Sequence, residues 1–290
     1  MSKYDISIIS AGIFWGVIGL FSRQLTALGL SSQGILIIRS GGCAILFGLT
    51  ALFRGKNEFR IRLKDLWLVG ALGLMTFFFT YCYYLSIEKG SLSAACVLMY
   101  SAPVFVMIFS LFLFKERFTI QKLIALIAAM CGCVLVSGIL EGGNTGSMAG
   151  TIFGLLAGIG YAMYSVCIKA LANRGCGTLT LNIYGWLFCV LLGIIVFGPK
   201  EALPAFQSVK SWLLTVGICV ISGFLPALLY SHGLSGTEAG KGAVMATTEP
   251  IVASLAGLVY HEIPSPLAVV GIVLVLGAVV LLNIKISSRK

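Results

Sequence analysis

Ten apolar stretches of roughly 20 residues each, the length that carries a helix across a hydrocarbon layer, follow one another with only short charged, Gly-rich or Ser-rich breaks. They lie at 5–22, 32–52, 66–86, 91–114, 120–139, 149–169, 178–198, 210–231, 241–260 and 265–284. Lipid offers no partners to backbone N–H and C=O groups, so each stretch has to bond its own backbone. The runs are continuous in apolarity and lack the alternation of a barrel strand. The expected fold is an all-α integral membrane protein with ten transmembrane helices. Composition agrees: 59% hydrophobic and 10% charged residues, with a mean hydropathy of +1.03, leave too little polar surface to coat a soluble globule.

A net charge of +10 does not imply nucleic acid, because the basic residues are sorted by loop instead of gathered on one patch. Lys3, then Arg54, Lys56, Arg60, Arg62 and Lys64, then Lys115, Arg117 and Lys122, then Lys169, Arg174 and Lys241, and finally Lys285, Arg289 and Lys290 fall at the termini and the even-numbered loops. Arg23, Lys89, Lys200 and Lys210 fall on the other side. The positive-inside bias places both termini of a multi-pass membrane protein in the cytoplasm. No small-residue cleavage motif follows the first apolar stretch, which therefore reads as a retained span. Of the nine cysteines, all but Cys176 fall in spans. Cys131 and Cys133 point to different faces of a helix, so the cysteines read as small apolar packing residues and no metal or cofactor is expected.

The sequence is also built twice. Tyr100-Ser101-Ala102-Pro103, running on to Lys115-Glu116, matches Thr247-Thr248-Glu249-Pro250, running on to His261-Glu262. Ala11-Gly12-Ile13 through Arg23 matches Ala157-Gly158-Ile159 through Lys169, pairing Trp15 with Tyr161, and Tyr83-Tyr84 lies opposite Tyr230-Ser231. The repeat unit holds five spans, 1–140 and 149–290, joined by a linker at 141–148 on the outer side. An odd number of spans forces the second copy to enter the membrane from the opposite face, which makes the halves an inverted repeat suited to alternating access.

The five-plus-five arrangement, the proline about a dozen residues before a Lys-Glu or His-Glu end in each half, and Arg39 in the second span resemble the EamA-type branch of the drug/metabolite transporter superfamily. That resemblance covers essentially the whole chain. It implies an inner-membrane transporter, commonly an exporter of amino acids or other small metabolites, with a cavity between the halves and the first, third, fourth and sixth spans around it. An acidic residue before the second proline is common in that family.

Within this frame the residue most in need of a reason is Glu249, a carboxylate inside an apolar span where an ion costs on the order of 2.5 kcal/mol or more. It binds a cationic part of the substrate, exchanges a proton, or is held structurally by hydroxyls such as Thr247 and Thr248; the residues alone leave these open. Pro103 and Pro250 each remove a backbone donor and are expected to kink the fourth and ninth spans. The carbonyls they free face either the cavity or the hydroxyls of Ser101 and Thr248, which are themselves candidate cavity residues. Arg39 either attracts a substrate carboxylate or snorkels outward. Trp15, Tyr81, Tyr83, Tyr84, Tyr100, Tyr161 and Tyr164 are the aromatic candidates for the cavity wall, with Trp15 and Tyr100 the deepest, although Tyr81, Tyr83 and Tyr84 also suit an interfacial belt. His232 closes the eighth span as a lone interfacial histidine. Glu116 and Glu262 end their spans and are expected to meet loop backbone or gating cations.

Neither GxxxxGK[ST], HExxH nor GxSxG occurs, so no enzyme motif and no ATP site is expected in this chain. The expected activity is secondary transport of a small amphipathic or zwitterionic metabolite, such as an amino acid, in the export direction. Coupling to protons is compatible with Glu249, and the protein is expected to act as a monomer or homodimer. An organic-cation transporter and a lipid flippase are the alternatives.

Overall fold

The structure is a computed structural model that describes residues 1–89, 92–137, 139–141, 147–261 and 263–284. Glu262, the linker segment 142–146 and the terminal Lys285, Arg289 and Lys290 lie outside the described residues. Every regular element among the described residues is helical. The first apolar rod comprises α1 (Lys3–Gly16) and α2 (Ile18–Ala27), followed by α3 (Ser32–Arg54), α4 (Leu66–Lys89), α5 (Leu92–Met99) with α6 (Ala102–Phe114), and α7 (Ile120–Val136). Then come α8 (Met148–Asn173), α9 (Thr178–Phe197), α10 (Val209–Cys219) with α11 (Leu225–Gly236), α12 (Ala239–Met245) with α13 (Thr248–Ala256), and α14 (Pro266–Leu281).

Eight of these rods are long and apolar enough to cross a membrane. The fifth and tenth apolar stretches form shorter helices, α7 of 17 residues and α14 of 16. α7 stops where Ser137 turns its hydroxyl back onto the Val134 carbonyl at 2.7 Å; α14 starts only after Ser265 accepts the Ala268 N–H at 3.1 Å, with Pro266 in its first turn. The two short helices pack on each other through glycine. A Cβ on Gly271 would lie 2.6 Å from the Gly132 carbonyl oxygen, so the backbones touch.

The proline positions are short breaks in the helical bonding within otherwise continuous rods. α5 gives way to α6 at Tyr100–Ser101, with Pro103 in the first turn of α6, and α12 gives way to α13 at Ala246–Thr247, ahead of Pro250. The lost helical bonds are replaced locally. Ser101 donates to Leu98 O at 2.6 Å, Thr247 to Val244 O at 2.6 Å and Thr248 to Met245 O at 3.2 Å. Both rods end on a left-handed residue that is not glycine, Lys115 (φ 55°) and His261 (φ 60°).

Each break is covered by a glycine from a distant helix. Gly12 of α1 lies against Thr248 and the Ala246 carbonyl, and Gly158 of α8 lies against Ser101 and the Leu98 carbonyl. A Cβ at Gly158 would sit 2.5 Å from Ser101 Oγ and 2.9 Å from Leu98 O, whereas one at Gly48 would meet nothing within 4 Å. The two substitutions should therefore differ in sign. Gly48→Ala should stabilise by about 0.5–1 kcal/mol through helix propensity, and Gly158→Ala should destabilise by about 1–3 kcal/mol through overpacking. Thermal unfolding midpoints in detergent check this; a Gly158→Ala midpoint at or above wild type would contradict the close packing.

Candidate functional site

A cavity of about 430 Å³ runs from the middle of the bundle to the end where α2 finishes and α3 begins; its wall includes Ser22, Arg23, Thr26 and Ser32 near that mouth. Deeper, it is bounded by Trp15 of α1, Arg39 of α3, Thr76, Phe79, Thr80, Tyr83 and Tyr84 of α4, Tyr161 and Tyr164 of α8, Trp186 of α9 and Glu249 of α13. A second cavity, of about 390 Å³, extends from the same place toward α7 and α14 and includes Tyr100, Cys96, Cys133 and Pro250 in its wall. Trp15, Tyr83 and Glu249 border both. The carboxylate thus stands at a junction, positioned by the break that begins α13, with the Tyr100 side chain beside it and the Arg39 charge bearing on it.

Arg39 is buried, with 8% of its surface exposed, and its guanidinium lies over the Trp186 ring at 5.8 Å from the centroid. It does not reach outward. Its Nε has no hydrogen-bond partner, and neither does the buried Tyr161 hydroxyl. Buried donors of this kind cost about 1–3 kcal/mol each when unmet.

Aromatic rings close the floor. Tyr164 and Tyr230 stack at 6.1 Å and 6°, Trp15 meets Tyr230 at 5.1 Å and Tyr161 at 6.3 Å, and Phe79 packs on Tyr161 at 5.4 Å. Tyr230 is fully buried, and its hydroxyl pairs with that of Ser165 at 2.8 Å. Below the rings lies a solid apolar core that includes Ile8, Ile168, Leu171, Leu234 and Met245.

Beyond that core the molecule ends in a charged network, termed the basic end. The Asp5 carboxylate receives the Lys241 ammonium at 3.1 Å, the Thr237 hydroxyl at 3.2 Å and its own N-cap N–H, from Ser2, at 2.9 Å. Lys169 donates to Leu234 O at 3.0 Å and Thr237 O at 2.8 Å, meeting carbonyls left over at the end of α11. Glu116 receives the N–H groups of Ala239 and Gly240 at 2.7 and 3.2 Å, which caps α12, while Lys122 pairs with Glu238 at 2.5 Å. The buried Asp65 holds Arg174 at 3.0 Å and Arg62 at 3.3 Å, and Arg62 also donates to the Arg174 carbonyl.

These positions can be compared with the sequence expectations. Trp15, Tyr83, Tyr161, Arg39 and Glu249 border the central cavity, and Tyr100 borders the second. Ser101 and Thr248 border neither, because their hydroxyls turn back onto helix carbonyls and their faces meet Gly158 and Gly12. Of the aromatic cluster in the third span, Tyr84 joins Tyr83 in the cavity wall, while Tyr81 packs on Phe77 and Phe197. His232 packs against Tyr4 with ring centroids 5.2 Å apart and the planes tilted by 41°. Sequence reasoning missed Thr76, Thr80 and Trp186 in the cavity wall. It also missed the Asp5 network, although an acid just inside an apolar run was a visible signal. Among the described residues no cluster of His, Cys, Asp and Glu has the makings of a metal site. In the turn between α8 and α9, burial pushes the Cys176 thiol up to about 11, which keeps it protonated and inert.

The sequence profile of the EamA-like transporter family matches residues 2–138 and, a second time, residues 148–284. The chain belongs to the EamA-like transporter family. Similar curated proteins include an uncharacterized transporter of Archaeoglobus fulgidus, 26% identical over 262 residues covering 88% of this chain and 87% of its own length. Another, the uncharacterized inner membrane transporter YicL of Salmonella typhimurium, is 24% identical over 299 residues covering 99% and 97%. A crystal structure with 18% identity superposes with a TM-score of 0.80 over 97% of this chain and 96% of that one, a similarity of fold alone. Membership in an EamA-like family makes this multi-span membrane protein a transporter with a small-molecule solute as its cargo.

Proposed function

We propose that the protein is a secondary transporter of the inner membrane that exports a small zwitterionic metabolite, such as an amino acid, by alternating access. The observation that carries the cargo class is that Glu249 and Arg39 border one aromatic-walled cavity. A solute that carries both an ammonium and a carboxylate meets a complementary charge for each, with ring faces for its apolar part. An organic cation would be served by Glu249 and the rings but opposed by Arg39.

For the mechanism, ten helices form two inverted five-helix repeats, residues 1–140 and 149–290, with the basic end and both termini in the cytoplasm. The structure then corresponds to a form open to the outside. Repeat-related residues play unequal parts in it: Tyr83 borders the open cavity while its counterpart Tyr230 is buried in the floor stack. In the inward-open form the roles exchange, with Tyr83 buried and Tyr230 lining the cavity. The Asp5 network has to separate on the way, which makes it the cytoplasmic gate.

Counterflow in reconstituted vesicles, run with a panel of amino acids, quaternary amines and nucleosides, tests the cargo class. Amino acids should exchange. Arg39→Ala should slow them at least tenfold, as losing one charge-assisted hydrogen bond of about 1.5–3 kcal/mol implies. Exchange of quaternary amines alone, insensitive to Arg39→Ala, would replace the zwitterion reading with the organic-cation one.

A further inference from the structure

We propose that the second cavity is a subsite for an unbranched apolar tail carried by the cargo, so that the transported solute is an amphiphile whose head sits between Arg39 and Glu249. The proposal rests on the zwitterion reading for the head and on separate observations for the tail. The two cavities adjoin at Glu249, Trp15 and Tyr83, so a molecule held by its ammonium at Glu249 sits at the border of the second one. What lines the second cavity is mostly carbon and sulfur: Ile18, Cys96, Cys133, Val136, Ala253 and Pro264.

The hydroxyls there are largely committed. Ser137 donates to Val134 O at 2.7 Å, Ser265 accepts from Ala268 N at 3.1 Å, and the Tyr83 hydroxyl contacts Cys96 Sγ at 3.0 Å. Apart from Arg23 and Glu249, which it shares with the central cavity, and Ser254, the wall has few polar side chains. Its wall includes the small residues Gly19, Ala253, Ala256 and Gly257, where larger ones would narrow it. A cavity of about 390 Å³ lies in the size range of small-molecule sites, and a solute confined to the central cavity leaves all of it unfilled. Apolar matter entering it gains contact and desolvation along the walls it touches.

The test uses straight-chain α-amino acids with side chains of two to eight carbons, binding to the purified full-length protein in detergent. In wild type, affinity should rise about fourfold per added methylene until the tail fills the cavity. Ala253→Trp, which occupies the second cavity alone, should bind the two-carbon member as wild type does and lose most of the chain-length gain; Ser254→Phe is the second variant should the first fail to fold. In wild type, the eight-carbon member should protect Cys96 from alkylation, mapped by mass spectrometry, and the two-carbon member should not. A slope that persists in both variants, or Cys96 equally reactive with either ligand, would mean that the tail partitions into detergent or bound lipid, and would overturn the proposal. If no amino acid binds wild type, the zwitterionic head is refuted; n-alkyltrimethylammonium ions of the same lengths then decide the tail site by the same slope. A wild type blind to chain length in both series overturns the tail site itself.

Discussion

Glu249→Gln should reduce exchange of a zwitterionic solute by at least tenfold and leave the protein folded. Glutamine keeps the volume, and an amide can still accept from Tyr100, so the break at the start of α13 keeps its packing. What it loses is charge. Glu249 borders the solute cavity and feels the Arg39 guanidinium; without it, a bound zwitterion faces one buried cation and no anion. A charge-assisted hydrogen bond to the ammonium is worth about 1.5–3 kcal/mol, and each 1.4 kcal/mol is about a factor of ten. Vesicle counterflow measures the loss, and a thermal midpoint measures the fold. Unchanged exchange with a lowered midpoint would assign Glu249 to structure. Exchange that persists but no longer responds to a pH gradient would assign it to proton coupling.

The second large effect belongs to Asp5. Its side chain is 5% exposed and its partner Lys241 22% exposed, and the same carboxylate also takes Thr237. Removing one member of a fully buried ion pair costs about 3–5 kcal/mol, and partial exposure of the lysine reduces this to roughly 1–3 kcal/mol. The loss falls only on forms in which the basic end is closed. Asp5→Asn should therefore shift the balance toward forms open at that end by about ten- to a hundredfold. Spin labels on Lys3→Cys and Ser235→Cys, both exposed positions, should report a longer distance population in the Asp5→Asn background. An unchanged distribution would remove the network from gating. The two variants are separable, since Asp5 lies below the aromatic floor and does not border the solute cavity.

Much of the backbone plan was legible because it depends on run length. Apolar stretches long enough to cross lipid had to become helices, and a proline inside such a stretch had to cost a backbone bond, so the helices among the described residues, eight of them long and apolar enough to cross a membrane, lie near the expected stretches. Orientation about each rod was not legible. In a soluble protein the buried face is marked by its contrast with a polar one, but here lipid-facing and core-facing positions are both apolar. Nothing local distinguishes Tyr81, which packs on Phe197, from Tyr83, which borders the cavity. The same blindness applies to Arg39, whose long stem is compatible with either direction, and to Ser101 and Thr248, whose hydroxyls found carbonyls within their own turn. Asp5 and Lys241 lie 236 residues apart, and no local periodicity links them.

The short pair α7 and α14 carries a consequence for the surrounding bilayer. Helices of 17 and 16 residues are about 24–26 Å long, against a hydrocarbon thickness of about 30 Å. Their packing through Gly132 and Gly271 ties the two ends together, so neither lengthens alone. In the proposed ten-span arrangement, lipids along this flank would compress by a few ångströms, at fractions of a kcal/mol per ångström, while those beside the longer rods would not. That arrangement sets the protein in an annulus of uneven thickness. Any conformational step that tilts this pair changes the elastic energy of the membrane, which makes acyl-chain length a variable in the transport cycle.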